Sequence, residues 1–206
     1  MKRYLPAALG TVLAIVPFAV PAQDYPAKLV RVIVPFPAGG ATDVLGRLIA
    51  QRLGESFGQQ FIVDNRAGAS GAIGTEAVAK APPDGYTLLF ASASTQAIHP
   101  AVSKVPFDPV RDFTPIAFVA SAPLALVTQP SLPAKSVAEL IALAKAKPGQ
   151  LNMASFGSGT VSHLAGELFK TMAGVDMTHV PYKGGAPAMA DLIAGQVQLS
   201  FDTFSN

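Results

Sequence analysis

Two stretches of the chain run an apolar segment into a glycine- and hydroxyl-rich turn, and a helical pattern follows at once. The first is Val34-Pro35-Phe36-Pro37-Ala38-Gly39-Gly40-Ala41-Thr42-Asp43. The second is Met153-Ala154-Ser155-Phe156-Gly157-Ser158-Gly159-Thr160-Val161-Ser162-His163. A helix N-terminus presents unpaired backbone N–H groups at the positive end of the helix dipole. Glycine leaves room for an anion to reach those groups. Two such turns in one small protein predict a cleft that grips an anion from two sides. The same residues also have plainer uses. Thr42 and Thr160 have N-cap chemistry, and Asp43 suits a first helical turn. His163 reads either as a ligand contact or as a satisfied histidine on a helix face.

Other chemistries fit less well. Gly68-Ala69-Ser70-Gly71-Ala72 approaches a nucleophile elbow, but Ala72 stands at the last glycine position and turn residues precede it instead of a strand. Gly157-Ser158-Gly159 begins like a dinucleotide fingerprint, but Ser162 replaces its third glycine. There is no cysteine, which excludes a disulfide scaffold and thiolate chemistry. His99, His163 and His179 lack metal-ligand spacing. The residues therefore predict no enzyme, no metal and no cofactor, with a serine hydrolase as the least favoured alternative.

Elements to position the two turns are legible along the chain. Lys2 and Arg3 precede an apolar run from Leu5 to Val20, and Val20-Pro21-Ala22 offers small residues for cleavage. This predicts a secretory signal peptide over residues 1–22, cut before Gln23, and export to the periplasm. Cleavage leaves Lys+Arg and Asp+Glu equal in number. A near-neutral chain without a basic cluster argues against nucleic acid or an anionic membrane as partner.

After the leader, strands and helices alternate. Strands are expected at 29–34, 61–63, 86–90, 116–119, 124–127, 151–154, 177–180 and 197–201. Helices are expected at 44–57, 69–80, 136–147, 161–173 and 186–194. The opening β-α-β-α-β order implies a parallel sheet with right-handed crossovers. A second α/β unit occupies the later half, with the boundary placed near Ser121-Ala122-Pro123. The units are then 23–122 and 123–206. Ligands of open parallel sheets sit at the carboxyl ends of strands, and both glycine-rich turns lie there, one in each unit.

Pro35-Phe36-Pro37-Ala38-Gly39-Gly40-Ala41-Thr42-Asp43 resembles the first ligand loop of the tripartite tricarboxylate transporter solute-binding proteins, the Bug family. Further matches are Val63-Asp64-Asn65-Arg66-Ala67-Gly68-Ala69-Ser70-Gly71, Gly74-Thr75-Glu76-Ala77-Val78-Ala79-Lys80, Pro83-Asp84-Gly85-Tyr86-Thr87-Leu88 and Pro181-Tyr182-Lys183-Gly184. Gly157-Ser158-Gly159-Thr160 before His163-Leu164 is similar to the family's second ligand loop. The resemblance covers essentially everything after the leader.

It implies an α/β, two-lobed, periplasmic-binding-protein-like (type II) fold with parallel-rich sheets flanked by helices. It implies a monomer that captures a small carboxylate and delivers it to membrane transporter subunits. A ligand-sensing module that signals to a membrane partner is the alternative. By position, Gly39, Gly40, Ala41, Thr42 and Asp43 form the first-lobe wall, and Ser158, Gly159, Thr160 and His163 the second. Phe36 and Tyr182 flank the ligand, and Lys183 is solvated at the rim. Ala38 and Ala41 depart from the residues many members carry. Members also run well past this length, so the resemblance implies a first lobe that lacks its return segment.

Overall fold

The computed structural model describes residues 25–203. The signal peptide and its cleavage point before Gln23 lie outside the described residues. Two sheets organise the chain. In the first, β1 (Val30–Val34) is central, flanked by β2 (Phe61–Asn65) and β3 (Thr87–Leu89), all parallel. The strand is buried on both faces, with Val30, Val32, Ile33 and Val34 at 3% exposure or less. That burial explains its β-branched sequence, which only the exposed Arg31 interrupts.

Helix α1 (Ala41–Phe57) crosses from β1 to β2. It approaches the sheet closely through Gly46, where a Cβ would stand 2.9 Å from a Val34 methyl. Gly58, in the left-handed region at φ 65°, ends the helix by bonding the Gly54 carbonyl. A short 3-10 turn (Ala69–Gly71) leads into α2 (Ala72–Ala79).

The second sheet has the order β4-β7-β5-β6. Strands β5 (Asn152–Ser155), β6 (Thr178–Pro181) and β7 (Leu199–Thr203) run parallel, while β4 (Leu124–Thr128) pairs antiparallel with β7. A short helix, α3 (His99–Val102), precedes it, and helices α4 (Val137–Ala146), α5 (Val161–Ala173) and α6 (Gly185–Ile193) cover it. Leu140, Ala144, Leu151, Met153, Met177 and Leu199 build one core cluster under α4 and α5. Ala154, Ala188, Leu192 and Val197 build another under α6. Ser136 caps α4 by accepting the Glu139 N–H, and Glu139 reaches back to the Lys135 N–H. This is close to a capping box.

Three expectations need correction. Residues 116–119 form no strand. Ile116 and Phe118 are 79% and 85% exposed, and no described strand runs beside them to complete a ladder. Apolar β-propensity without a partner for its backbone does not make a strand. Second, Thr42 does not cap α1: Gly40 is the N-cap, and Thr42 sits inside the first turn. Third, residues 94–102 are helical where the sequence analysis placed no element. Ser94–Ile98 forms a π-helical turn that continues into α3 (His99–Val102).

Candidate functional site

The first loop ends at α1. Gly40 has extended geometry (φ −84°) and no side chain to cap the helix. The Ala41 and Thr42 N–H groups have no intrahelical acceptor at that position. Asp43 is buried and spends its carboxylate on the loop itself. Oδ2 accepts from the Gly39 N–H at 2.9 Å and from Arg47 Nε at 3.0 Å. Oδ1 accepts from Asn65 Nδ2 at 2.8 Å and lies 3.0 Å from an Arg47 terminal nitrogen. Asn65 Nδ2 also donates to the Phe36 carbonyl. Burial pushes the Asp43 carboxyl up, but the Arg47, Gly39 and Asn65 bonds outweigh it and hold it below the usual carboxylate value. Asp43 is thus a brace that shapes the loop. Phe36 is buried, and its ring end stands 3.3 Å from where a Gly71 Cβ would be.

The second loop is tied down more fully. Thr160 is completely buried and caps α5, accepting weakly from the His163 N–H at 3.4 Å. Its hydroxyl donates to the Gly157 carbonyl at 2.7 Å. The Gly159 N–H donates to His163 Nδ1 at 3.2 Å, which leaves the proton of a neutral imidazole on Nε2, toward Glu167. The Gly157 N–H donates to Ser155 Oγ, which lies 2.6 Å from His179 Nε2. The His163 and His179 rings stack with centroids 4.1 Å apart. Burial, and then the neighbouring His163, hold His179 below its ordinary value. Ser155 with His179 resembles a nucleophile–base pair, but Ser155 has no exposed surface and could not reach a substrate.

Tyr182 packs against the core cluster under α6 and donates its hydroxyl to Asp191 at 2.7 Å. Burial and that carboxylate push the phenol up to about 12. Lys183 is exposed.

The two loops meet through contacts that lie far apart in sequence. Ser70 Oγ donates to the Ser158 carbonyl at 2.7 Å. The Val161 N–H, in the first turn of α5, donates to Ser94 Oγ at 3.1 Å. Ser70 sits in the left-handed region (φ 54°), so its backbone is held in a strained form to make that bridge.

A third helix N-terminus joins them. Gly184 caps α6 without a side chain. A Cβ on Gly40 would stand 3.9 Å from the Ala186 nitrogen, and one on Gly39 3.8 Å from the Ala186 Cβ. Pro37 crosses so near that a Cβ on Gly184 would lie 2.5 Å from its Cδ. The N-termini of α1 and α6 therefore face each other, both uncapped by side chains. The α6 terminus was missed in the sequence analysis, although Pro181-Tyr182-Lys183-Gly184-Gly185 repeats the strand, glycine and helix pattern of the two turns that were found. Ser70 and Ser94 were missed as site-forming residues because only the fold brings them to α5.

Two α/β units meeting at glycine-capped helix N-termini make a two-lobed fold of the periplasmic-binding-protein class. The description "Tripartite tricarboxylate transporter family receptor" matches residues 45–206, and the chain belongs to that family. Protein BugT of Bordetella pertussis is 43% identical over 201 residues, covering 96% of this chain and 61% of BugT. An R. palustris protein solved with adipate superposes with a TM-score of 0.86 at 46% identity, over 87% of this chain and 60% of that one. MatC from Rhodopseudomonas palustris, solved with bound malate, gives 0.82 at 34% identity, over 87% and 61%. The chain thus spans less than two thirds of the length of each of these relatives. The periplasmic binding protein BugD gives 0.79 at 36% identity, over 88% and 61%; the family is one of receptors, and these relatives are binding proteins, not enzymes.

Proposed function

We propose that this protein binds a small carboxylate in the periplasm, between its two α/β units, and delivers it to a membrane transporter of the tripartite tricarboxylate type. The first unit is assigned to residues 23–122 and the second to 123–206. The leader is removed before Gln23, and the protein works as a monomer. The observation that carries the reading is the meeting of the α1 and α6 N-termini, with the Ala186 nitrogen beside Gly40. Backbone N–H groups at such termini suit a carboxylate oxygen. Carboxylates bound in two structural neighbours support the same ligand class.

Gly40, Ala41 and Thr42 supply the first wall, and Gly185 and Ala186 join the second. Asp43, Thr160 and His163 hold the walls in shape. Ser158 and Gly159 line the join, and Phe36 and Tyr182 stand at its base.

The energetics favour shared capture. Micromolar affinity corresponds to about 8 kcal/mol. One helix dipole contributes only about 0.3–1 kcal/mol, and each charge-assisted hydrogen bond about 1.5–3 kcal/mol. Several bonds from more than one terminus are therefore required once ordering costs are included.

A thermal-shift screen of mono-, di- and hydroxycarboxylates, aromatic acids and amino acids tests the binding. At a hundredfold excess over Kd, one carboxylate is expected to raise the melting midpoint by roughly 5–10 °C. If no carboxylate moves the midpoint, the reading fails. Delivery is tested by uptake of the same compound in a deletion strain, which should fall.

A further inference from the structure

The two glycine-rich turns are built on one plan and differ in the residue that braces them. Gly39, Asp43 and Gly46 recur as Gly159, His163 and Gly166 at the same spacing. Gly39 and Gly159 are both left-handed, at φ 88° and 75°. Gly46 and Gly166 both let a helix press on the preceding strand, where a Cβ would strike Val34 and Met153. In each turn the first glycine N–H donates to the side chain four residues on: Gly39 to Asp43 Oδ2, and Gly159 to His163 Nδ1. The first brace is a carboxylate, which stays charged at neutral pH. The second is an imidazole, a group that ordinarily changes charge between about pH 5 and 8.

The bond from Gly159 exists only while His163 Nδ1 carries no proton. A proton added there sets two N–H groups against each other. Gly159 is buried, so its N–H finds no water unless the loop moves. That loop carries both bridges to the first unit. Ser158 accepts from Ser70 and Val161 donates to Ser94, on either side of Gly159. The His163 side chain is 23% exposed, so solvent protons reach it.

Charged and titratable groups surround the ring from several elements. On α5, Glu167 lies 3.9 Å from Nε2 and is itself paired with Lys170 at 3.0 Å. On β6, His179 stacks on the ring. On α3, His99 adjoins the loop, its Nδ1 3.0 Å from where a Cβ on Gly159 would be. Strand β7 carries the buried Asp202, and β5 has no titratable residue. Burial, and then His163 itself, keep His179 below its ordinary value, while Glu167 faces His163. One proton therefore enters the stacked pair, on His163, and a second would set like charges against each other across 4.1 Å.

We propose that His163 is a proton-operated latch: neutral, it holds the second loop and its two bridges to the first unit; protonated, it lets the loop go and loosens the hold on a carboxylate. This rests on the carboxylate-binding reading above and adds its regulation. Acidification then favours release of the ligand, while the first turn, braced by Asp43, keeps its form.

The test is solvent-exchange NMR and titration calorimetry of the purified chain at about pH 6 and about pH 8, with His163→Asn for comparison. An asparagine Oδ1 accepts as Nδ1 does but does not titrate. In the unmodified chain the protection of the Gly159 amide, relative to its intrinsic exchange rate, is expected to fall by about threefold from the higher pH to the lower, as the neutral fraction of an ordinary imidazole does. The Gly39 amide should keep its protection. The Kd for malate and adipate, used as probes, should rise over the same interval by about threefold more in the unmodified chain than in His163→Asn. Protonation of the probes themselves is common to both chains and cancels in that ratio. His163→Asp, which copies the brace of the first turn, should lack the pH dependence as well and serves where His163→Asn folds poorly.

Equal protection of the Gly159 amide at both pH values would overturn the proposal. So would binding that tightens in acid relative to the variants, since the imidazolium would then be attracting the anion. Absence of saturable binding by any carboxylate at either pH would remove the parent reading and this one with it. Binding with the same pH ratio in the unmodified chain and both variants would remove this one alone.

Discussion

Gly184→Ala is expected to weaken carboxylate binding by about 10- to 100-fold. The new Cβ would lie 2.5 Å from Pro37 Cδ and 3.2 Å from Pro37 Cγ, and a proline ring cannot swing aside as a flexible side chain does. Gly184 also has φ 153°, which L-residues rarely adopt, so the substitution strains the cap of α6 as well. Relief requires the first loop and α6 to separate, and the two helix N-termini then stop acting on one anion. Losing one or two charge-assisted hydrogen bonds accounts for the magnitude.

Gly40→Ala is the control for space. Its Cβ would meet nothing nearer than 3.9 Å, and its φ of −84° suits any residue. Its melting midpoint should therefore not change. Titration calorimetry with malate and adipate as probes reads the affinities. Unchanged affinity in Gly184→Ala would show that α6 takes no part. Gly39 and Gly159 are poorer test positions, because their φ values of 88° and 75° mix backbone strain with loss of access.

Asp43→Ala is expected to cost about 2–3 kcal/mol of folding stability, read from urea unfolding at neutral pH. Asp43 is 3% exposed, and its removal takes a charged acceptor from the Gly39 N–H and from the Asn65 amide, which keeps its bond to the Phe36 carbonyl. Hydrogen bonds to a charged group contribute about 1.5–3 kcal/mol each, and water reaches the exposed Gly39 to replace part of that. Arg47, about half exposed, recovers water and limits the total.

The pH dependence follows from the depressed carboxyl. Its folded value lies below its unfolded one, so the unfolded chain takes up the proton first as pH falls. The contribution is fully present above the unfolded value near 4 and is lost as pH drops through the folded value. The gap between the unmodified chain and Asp43→Ala should therefore narrow below about pH 4. A gap that stays constant into acid, or no loss at neutral pH, would show that the brace is unimportant.

Much of the architecture was legible because it rests on local rules. Ser136 and Thr160 mark the starts of α4 and α5, and Gly58 and Gly174 close α1 and α5 with left-handed caps. The β-branched run of β1 fits a strand buried on both faces. The first loop was placed correctly at the N-terminus of α1, but its detail was not: sequence alone offered Thr42 as a cap, whereas Gly40 takes that place.

What escaped depends on partners distant in the chain. Val161 is served by Ser94, and Ser158 by Ser70, across separations that no periodicity reports. Residues 94–102 escaped because two short helical pieces give too few turns for a hydrophobic stripe to show. Residues 116–119 look like a strand by composition, yet strand formation is decided by a neighbouring backbone. The α6 terminus was readable in principle, since Gly184-Gly185 follows a strand as Gly39-Gly40 does. Asp43 shows the opposite case. Its residue type suggested contact with a ligand or dipole, and only the positions of Gly39, Arg47 and Asn65 show where its oxygens go.

The central claim is that a carboxylate sits on the open N–H groups where α1 faces α6. The most direct measurement is a nitrogen-15 amide NMR titration of the labelled chain with the carboxylate that raises its melting midpoint most. The Ala41, Thr42 and Ala186 resonances are expected to move farthest and to saturate with the calorimetric Kd, while amides of α4, on the far side of the second sheet's core, stay in place. Saturable binding that leaves Ala41 and Thr42 unmoved would contradict the account.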